Sequence, residues 1–416
     1  MIQAIKAKYI ITPNQSFVTD SAVIIKNNII SGIISHHQLA KNEYSVLDLK
    51  NSVLLPGFVN SHVHLELQWT QKLLSPFQSF SDWLNQIITL KKNFDNSKIP
   101  KSVKEALDES LDSGVTTIGE ISSYDGLDYK AIIKSGIRTA YFYEITNSTI
   151  SNIDNKFLQN LLRNTNSLFN LKIFPHSIYS LDTKSLRKVL AFARNNNTNL
   201  GIHLSESIDE INYAMKRKNN LEDEVFSRFP KKPKFDSSPS TPLEYLDKIN
   251  SFRQNITLIH MNNLSSDDLK ILKKKQYPVV ICPRSNLYLN QKLPNLKFFM
   301  NYKKTGLGTD GLSSNISINF LDEINFLYLN AKKILVKNPE RRVLDIATIG
   351  GAKTLGLDNS IGTIEVNKKA DLIAFDLKNK DPYLSVMHSK VKDLKMSMIN
   401  GKIIKLKKDL TQYFHL

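Results

Sequence analysis

The chain has 416 residues, 41% of them hydrophobic and 23% charged, with a formal net charge of +17. These are the proportions of an ordinary globular protein with room for one large domain and a smaller one, and they exclude a disordered or fibrous chain. No apolar run reaches about eighteen residues, so no membrane span is expected. The lone cysteine, Cys282, excludes an internal disulfide.

The surplus of positive charge does not gather into a patch. KRKNN at 216–220, KKPK at 231–234 and KKK at 273–275 lie far apart with no interleaved aromatics. That spread excludes a nucleic-acid surface and leaves a field that favours anionic small molecules. The opening MIQAIKAKYIITPNQSF has no apolar core or small-residue cleavage site of a signal peptide. With a free thiol, this points to a cytoplasmic protein.

In chain order, residues 1–53 read as short strands and turns: KAKYIIT, SAVIIKNNIISGII and YSVLDLKNSVLL are rich in Ile and Val and broken by Asn, Gly and Asp. The middle then alternates between β-branched runs and stretches of helical period. Eight runs are expected to be strands: 56–64, 114–122, 137–145, 171–179, 200–207, 256–263, 277–285 and 305–313. Eight is the count of a closed (β/α)8 barrel. The charged, Pro- and Ser-rich segment 218–247 is expected as an excursion between the fifth and sixth strands. The end returns to strands, GTIEVNKKADLIAFDL and then LKMSMINGKIIKL, with a hairpin signal at Asn400-Gly401. The expected fold is therefore α/β, a (β/α)8 TIM barrel over 55–359. Residues 1–54 and 360–416 would together make a small β-sandwich domain.

The polar residues of the barrel runs are not scattered. His62 and His64, at i and i+2, share one face of the first strand. His176 ends the fourth, His203 lies in the fifth, His260 ends the sixth and Asp310 ends the eighth. Five of the nine histidines fall in these places. Strand C-termini converge on one face of such a barrel, and imidazoles with a carboxylate meeting there suit a borderline metal such as Zn²⁺ or Fe²⁺. A lone histidine at a strand end is usually a satisfied core residue; the joint occurrence on four strands favours the metal.

LLPGFVNSHVHLE (54–66), IHLSE (202–206), LIHMNN (258–263), LGTDGLSSN (307–315) and the closing GTIEVNKKADLIAFD resemble the amidohydrolase superfamily, in particular its nucleobase and aminohydrolase deaminases. The resemblance covers nearly the whole chain. It implies one divalent metal ion, Zn²⁺ before Fe²⁺, held by His62, His64, His203 and Asp310. It also implies that His260 hydrogen-bonds the attacking water, that Asp310 accepts its proton, and that Glu206 shuttles protons to the substrate ring and leaving amine. For Glu206 the plain alternative is a solvated carboxylate at a helix start. Binuclear relatives bridge two ions with a lysine at the end of strand four. Here His176 stands there, and Lys172 is expected near the strand's beginning on the wrong face, so a single ion is implied.

PHSIYS (175–180) resembles the strand-four segment of deaminases acting on adenosine-type compounds, which makes His176 a candidate substrate contact. SFSDWL (79–84) resembles the segment whose acidic residue takes ribose hydroxyls, so Asp82 is either that group or a helix N-cap. Trp83 is a core candidate as well. In CPRSNLYL (282–289) Arg284 stands where a small residue is usual. Its guanidinium either receives a substrate carboxylate or pairs with an acidic neighbour. The first option implies a small-molecule purine nucleoside with a distal carboxylate, 6-aminodeoxyfutalosine, on the futalosine route to menaquinone. S-adenosylhomocysteine, methylthioadenosine, adenosine or guanine deamination and chlorohydrolase chemistry are the alternatives, and a non-catalytic assembly protein is the alternative of another class. Relatives of this kind are often dimers, so the resemblance allows a homodimer without fixing the oligomeric state. Cys282 reads as a small buried hydrophobe.

Overall fold

Runs rich in Val, Ile and Phe, buried on both faces, form a parallel sheet, and the short polar connections between them turn the chain back through helices. The computed structural model describes residues 2–13, 16–39, 44–228, 241–250 and 254–411. The chain opens with β1 (Ile2–Thr12), β2 (Ser16–Lys26), β3 (Ile29–Ser35), β4 (Ser45–Asp48) and β5 (Ser52–Pro56). The middle supplies β6 (Phe58–Val63), β7 (Val115–Ser122), β8 (Arg138–Ile145), β9 (Phe169–Pro175), β10 (Leu200–Leu204), β11 (Ile256–His260), β12 (Val279–Ile281) and β13 (Thr305–Leu307). The chain closes with β14 (Leu372–Asp376), β15 (Leu394–Ile399) and β16 (Lys402–Leu406).

β6 to β13 close into a parallel barrel, and β13 pairs back with β6 through Leu307 and Asn60. Its interior is packed by Val59, Ile121, Phe142, Phe174, Ile259 and Cys282, so it is a core rather than a pore. Cys282 is a hydrophobe of that core, and burial pushes its thiol well above the usual range. The outer strands form a separate eight-stranded sheet in the order β16-β15-β14-β5-β1-β2-β3, with β4 beside β1. Both termini contribute to it, with a core of its own that includes Ile5, Val23, Leu47, Leu54, Leu372 and Met396. Asn400 and Gly401, at φ 51° and 76°, make the two-residue turn between β15 and β16. That is the left-handed geometry an Asn-Gly hairpin supplies.

All eight expected barrel strands are present, each shorter than or shifted from its expected span, three of them in ways that matter for the site. The fourth spans 169–175 rather than 171–179, the seventh stops at Ile281, and the eighth stops at Leu307. Beyond Ile281 the chain enters a helix, Pro283–Tyr288, with proline in its first turn, where the missing N–H costs no hydrogen bond. Of the excursion 218–247, residues 229–240 and the KKPK run lie outside the described residues.

Lys172 lies in mid-strand, and it shares a face with Phe174 because side chains alternate with a period of two. It therefore points into the barrel, contrary to the expectation of the wrong face. Phe174 stands between it and the histidines, 4.8 Å from the His203 ring. The lysine is 2% exposed with its Nζ 5.9 Å from the Phe142 ring centroid.

A buried ion pair joins the two sheets. Arg138 of β8 donates from Nε and Nη2 to both oxygens of Asp371, at 2.6 and 2.9 Å, and Asp371 also accepts from the Asn400 amide. Removing one member of such a pair strands the other in a dry interior. Arg138→Met is expected to lower unfolding free energy by about 3–5 kcal/mol in denaturant titrations, with a smaller loss for Arg138→Met/Asp371→Leu.

Burial brings the Lys172 ammonium down to about 8. Its charged form is thus penalised in the fold, fully below that pH, and the penalty fades as pH rises toward the free-lysine value of about 10.4. Lys172→Met is expected to raise Tm most near neutral pH, with the gain shrinking in scans taken above pH 8.

Candidate metal centre and active site

The C-terminal ends of the barrel strands bring His62, His64, His203, His260, Glu206 and Asp310 together, all of them buried. His62 Nε2 lies 3.4 Å and His64 Nε2 3.5 Å from Asp310 Oδ1, and His203 Nε2 lies 3.3 Å from His62 Nε2. Four donors arranged tetrahedrally at roughly 2.0–2.1 Å from one ion stand roughly 3.3–3.4 Å apart. The three separations each match an edge of such a tetrahedron.

The protonation states agree with that use. Burial, reinforced by the neighbouring histidines, holds His64 and His203 well below the usual imidazole range. Burial alone would raise Asp310, but the hydrogen bond and charge of His62, with the charges of His64 and His260, outweigh it and hold the carboxyl well below its usual range. Neutral imidazoles and an ionised carboxylate are the forms that offer lone pairs to a metal.

Local backbone geometry aims these groups. Asp310 and His260 have positive φ values, 60° and 75°, a conformation that ordinary side chains tolerate only when their surroundings impose it. For Asp310 those surroundings are the Ser285 and Ser314 hydroxyls, donating to Oδ2 at 2.7 and 2.8 Å, and the Gly311 amide on Oδ1 at 2.8 Å. Gly308 lets the loop pass beside β6: a Cβ there would come within 2.8 Å of the His62 Cβ. On the other side, the Glu120 carboxylate receives the Leu65 amide at 3.1 Å and so fixes the turn after His64. Sequence reasoning left Glu120 aside, since a strand-end glutamate has no motif that distinguishes it.

Glu206 carries the acid–base potential. Its Oε1 is 3.4 Å from His260 Nε2, and burial, then the charges of Asp310 and Glu210, push its carboxyl well above the usual range. The Asn262 and Asn263 side chains hold its carbonyl at 3.1 and 3.0 Å, and Glu210 receives its amide at 2.8 Å. Burial brings His260 down to about 4, and its Nδ1 faces Asn286 Oδ1 at 3.2 Å. Glu210, Asn262 and Asn286 carry no spacing signal in the sequence. His176 is half-buried beside the cluster, its ring 4.9 Å from that of His203 and its Nδ1 on the Ser177 and Ser180 hydroxyls.

Two expected substrate contacts sit differently. Asp82 is exposed in the first turn of the helix Phe80–Asn93, where it accepts from the Ser79 hydroxyl at 2.7 Å and Ser79 caps its amide. It is neither the N-cap itself nor in contact with the histidines. Arg284 donates from Nη1 to the Ser317 carbonyl at 3.3 Å, with the wholly buried Glu323 carboxylate 3.6 Å away. The acidic neighbour of the second alternative is therefore present, beside a guanidinium whose side chain is only 11% exposed. Trp83 is half-buried and donates to the Ser313 carbonyl at 2.7 Å, which ties its helix to the loop after Asp310.

Residues 53–404 match the Amidohydrolase family. The chain belongs to that family. It is 30% identical over 392 residues to a 5′-deoxyadenosine deaminase of Methanobrevibacter smithii, covering 90% of this chain and 84% of that protein. To a 5-methylthioadenosine/S-adenosylhomocysteine deaminase of Caldanaerobacter subterraneus it is 27% identical over 388 residues, 88% of this chain and 84% of the relative. The solved structure of Helicobacter pylori aminofutalosine deaminase in complex with methylthio-coformycin is similar at a TM-score of 0.84 and 25% identity, over 96% of this chain and 99% of that one. The family chemistry is hydrolysis at C–N bonds, and the chain is a hydrolase of this kind. No helix among the described residues is long and apolar enough to cross a membrane.

Metal content follows from the donors and from what holds them. Asp310→Asn is expected to abolish bound metal in elemental analysis. Ser285→Ala/Ser314→Ala, which strips the hydroxyls from Asp310, is expected to weaken metal affinity about 10- to 100-fold in chelator competition.

Proposed function

We propose that this chain catalyses the hydrolytic deamination of a 5′-modified adenine nucleoside, using one Zn²⁺ ion (Fe²⁺ being the second choice) held by His62, His64, His203 and Asp310. The observation that carries the reading is the buried Glu206 carboxyl, kept protonated by its surroundings and standing 3.4 Å from His260 at the edge of the ligand cluster. Chloride leaves from such a ring without a proton, whereas an amine leaves only once it has been protonated. Attack at the amino-bearing carbon is also slow until the adjacent ring nitrogen is protonated.

The ion, when bound, supplies positive charge that lowers the pKa of a water toward neutrality. Glu206 gives its proton to the ring nitrogen as the new C–O bond forms at the adjacent carbon. His260 orients the water by accepting from it at Nε2, and the proton it loses is taken up by Asp310. That carbon is then tetrahedral, bearing hydroxyl and amine. The hydroxyl proton passes to the carboxylate now on Glu206, the proton held by Asp310 passes to the amine, ammonia leaves, the ring keeps a C=O and an N–H, and both carboxyls return to their starting states. Atoms balance as nucleoside plus water giving the 6-oxo nucleoside plus ammonia.

His176, half-buried next to His203, is proposed to contact the purine–ribose edge. The Asp82 carboxylate, exposed and engaged only by Ser79, is proposed for the ribose hydroxyls. Within the adenine nucleosides we favour 6-aminodeoxyfutalosine, and with it a step in menaquinone biosynthesis. The end-to-end similarity to an aminofutalosine deaminase supports this choice. The names of the sequence relatives favour 5′-deoxyadenosine and methylthioadenosine instead.

Ammonia release from 6-aminodeoxyfutalosine, 5′-deoxyadenosine, methylthioadenosine, S-adenosylhomocysteine, adenosine and guanine tests both levels. The highest kcat/KM is expected for 6-aminodeoxyfutalosine, and a chain inactive on every adenine nucleoside would refute the reading. Glu206→Gln is expected to lower kcat by about 10²- to 10⁴-fold while the metal content stays that of the wild type.

A further inference from the structure

With Arg284 committed to Glu323, the positive group that would meet an anionic substrate has to be sought elsewhere on the catalytic face. The helix Phe80–Asn93, tied to the loop after Asp310 through Trp83, ends in Lys91 and Lys92. Lys91 Nζ donates to the Ser123 hydroxyl at 2.8 Å and lies 4.7 Å from the centroid of the Tyr124 ring. No carboxylate among the described residues forms an ion pair with it. Ser123 and Tyr124 follow directly on β7, at the barrel end where the metal ligands converge. Glu66, two residues after His64, receives the Ser123 amide at 2.7 Å, its hydroxyl at 2.9 Å and the Tyr124 amide at 3.3 Å. Lys91 is thus held one hydrogen bond away from the segment that carries His64.

Beside it opens a cavity of about 530 Å³ whose walls include Lys91, Lys92, Asn96, Ser123, Tyr124 and Asp125. The one carboxylate in the wall, Asp125, already accepts from the Asn152 amide at 2.7 Å and the Tyr143 hydroxyl at 3.3 Å. Neither lysine forms an ion pair among the described residues; the nearest carboxyl to Lys91, Glu66, is reached only through the Ser123 hydroxyl and is already taken up by the Ser123 and Tyr124 amides.

We propose that Lys91, with the face of Tyr124, is the specificity-determining site for a carboxylate carried on an apolar or aromatic spacer from the 5′ carbon of the nucleoside. The inference rests on the deaminase reading and refines its substrate class. The ammonium of Lys91 pairs with the carboxylate, Tyr124 covers the spacer, and Lys92 adds to the field that draws the anion in.

The test compares 6-aminodeoxyfutalosine with its methyl ester, which keeps the shape and removes the charge, on wild type, Lys91→Met, Lys91→Gln and Lys91→Arg. Wild type is expected to prefer the acid, and the preference to weaken as ionic strength rises. In Lys91→Met and Lys91→Gln the acid-to-ester ratio of kcat/KM is expected to fall about 10- to 100-fold, chiefly through KM for the acid, and Lys91→Arg is expected to keep most of it. An unchanged ratio in both neutral variants overturns the proposal, as does a wild type that prefers the ester. In either case deamination itself still stands. If the wild type releases ammonia from neither compound nor from 5′-deoxyadenosine, the deaminase reading falls and this proposal falls with it.

Discussion

Three imidazole nitrogens and a carboxylate oxygen, linked by neighbouring separations of 3.3 to 3.5 Å in a buried pocket, are the constraint around which the rest of this structure is arranged. Left to themselves they would not stay together: lone pairs facing one another in a dry site are repulsive and have lost their water. What holds them is a rigid barrel whose strands end at one level, and a set of local restraints aimed at single atoms. Asp310 and His260 sit at positive φ, Asp310 held by bonds from the Ser285 and Ser314 hydroxyls and His260 by the bond its Nδ1 donates to Asn286 Oδ1. The backbone strain at these positions is the mark of a site organised before its ligand arrives.

Dryness also sets the acid–base character. The burial that leaves His64 and His203 neutral leaves Glu206 and Glu210 with raised affinities for protons. Asp310 escapes because histidines face it and three donors bind it. One low-dielectric pocket therefore contains an ionised carboxylate beside a protonated one, which is the division of labour a deamination needs. Around that pair, Glu120 and Glu66 use buried carboxylates structurally, gathering backbone amides of the turns that follow β6 and β7.

Arg284 and Lys91 show why a cation's sequence position is a poor guide to its role. Arg284 follows strand seven, as a carboxylate-binding group would, yet the wholly buried Glu323 lies against it. Lys91 sits at the far end of an amphipathic helix with nothing in its neighbourhood to mark it. Only the way that helix lies over the loop after β7 brings its ammonium to the catalytic face.

Much of this protein can be read from residue order. Alternating β-branched runs and helical stretches, eight of the former, specify a barrel because each pattern can bury its apolar side only against the next. Histidines at i and i+2 on a strand share a face whatever surrounds them, and an Asn-Gly pair turns a hairpin by its own conformational preference. These are local properties, and local properties survive in a one-dimensional text. Tertiary structure decided where strands seven and eight stop, that Lys172 faces inward behind Phe174, that Arg284 is paired and Lys91 is not, and which glutamates lose their water. Each of these depends on groups far apart in sequence, since burial and counter-charge belong to a neighbourhood that exists only once the chain has closed.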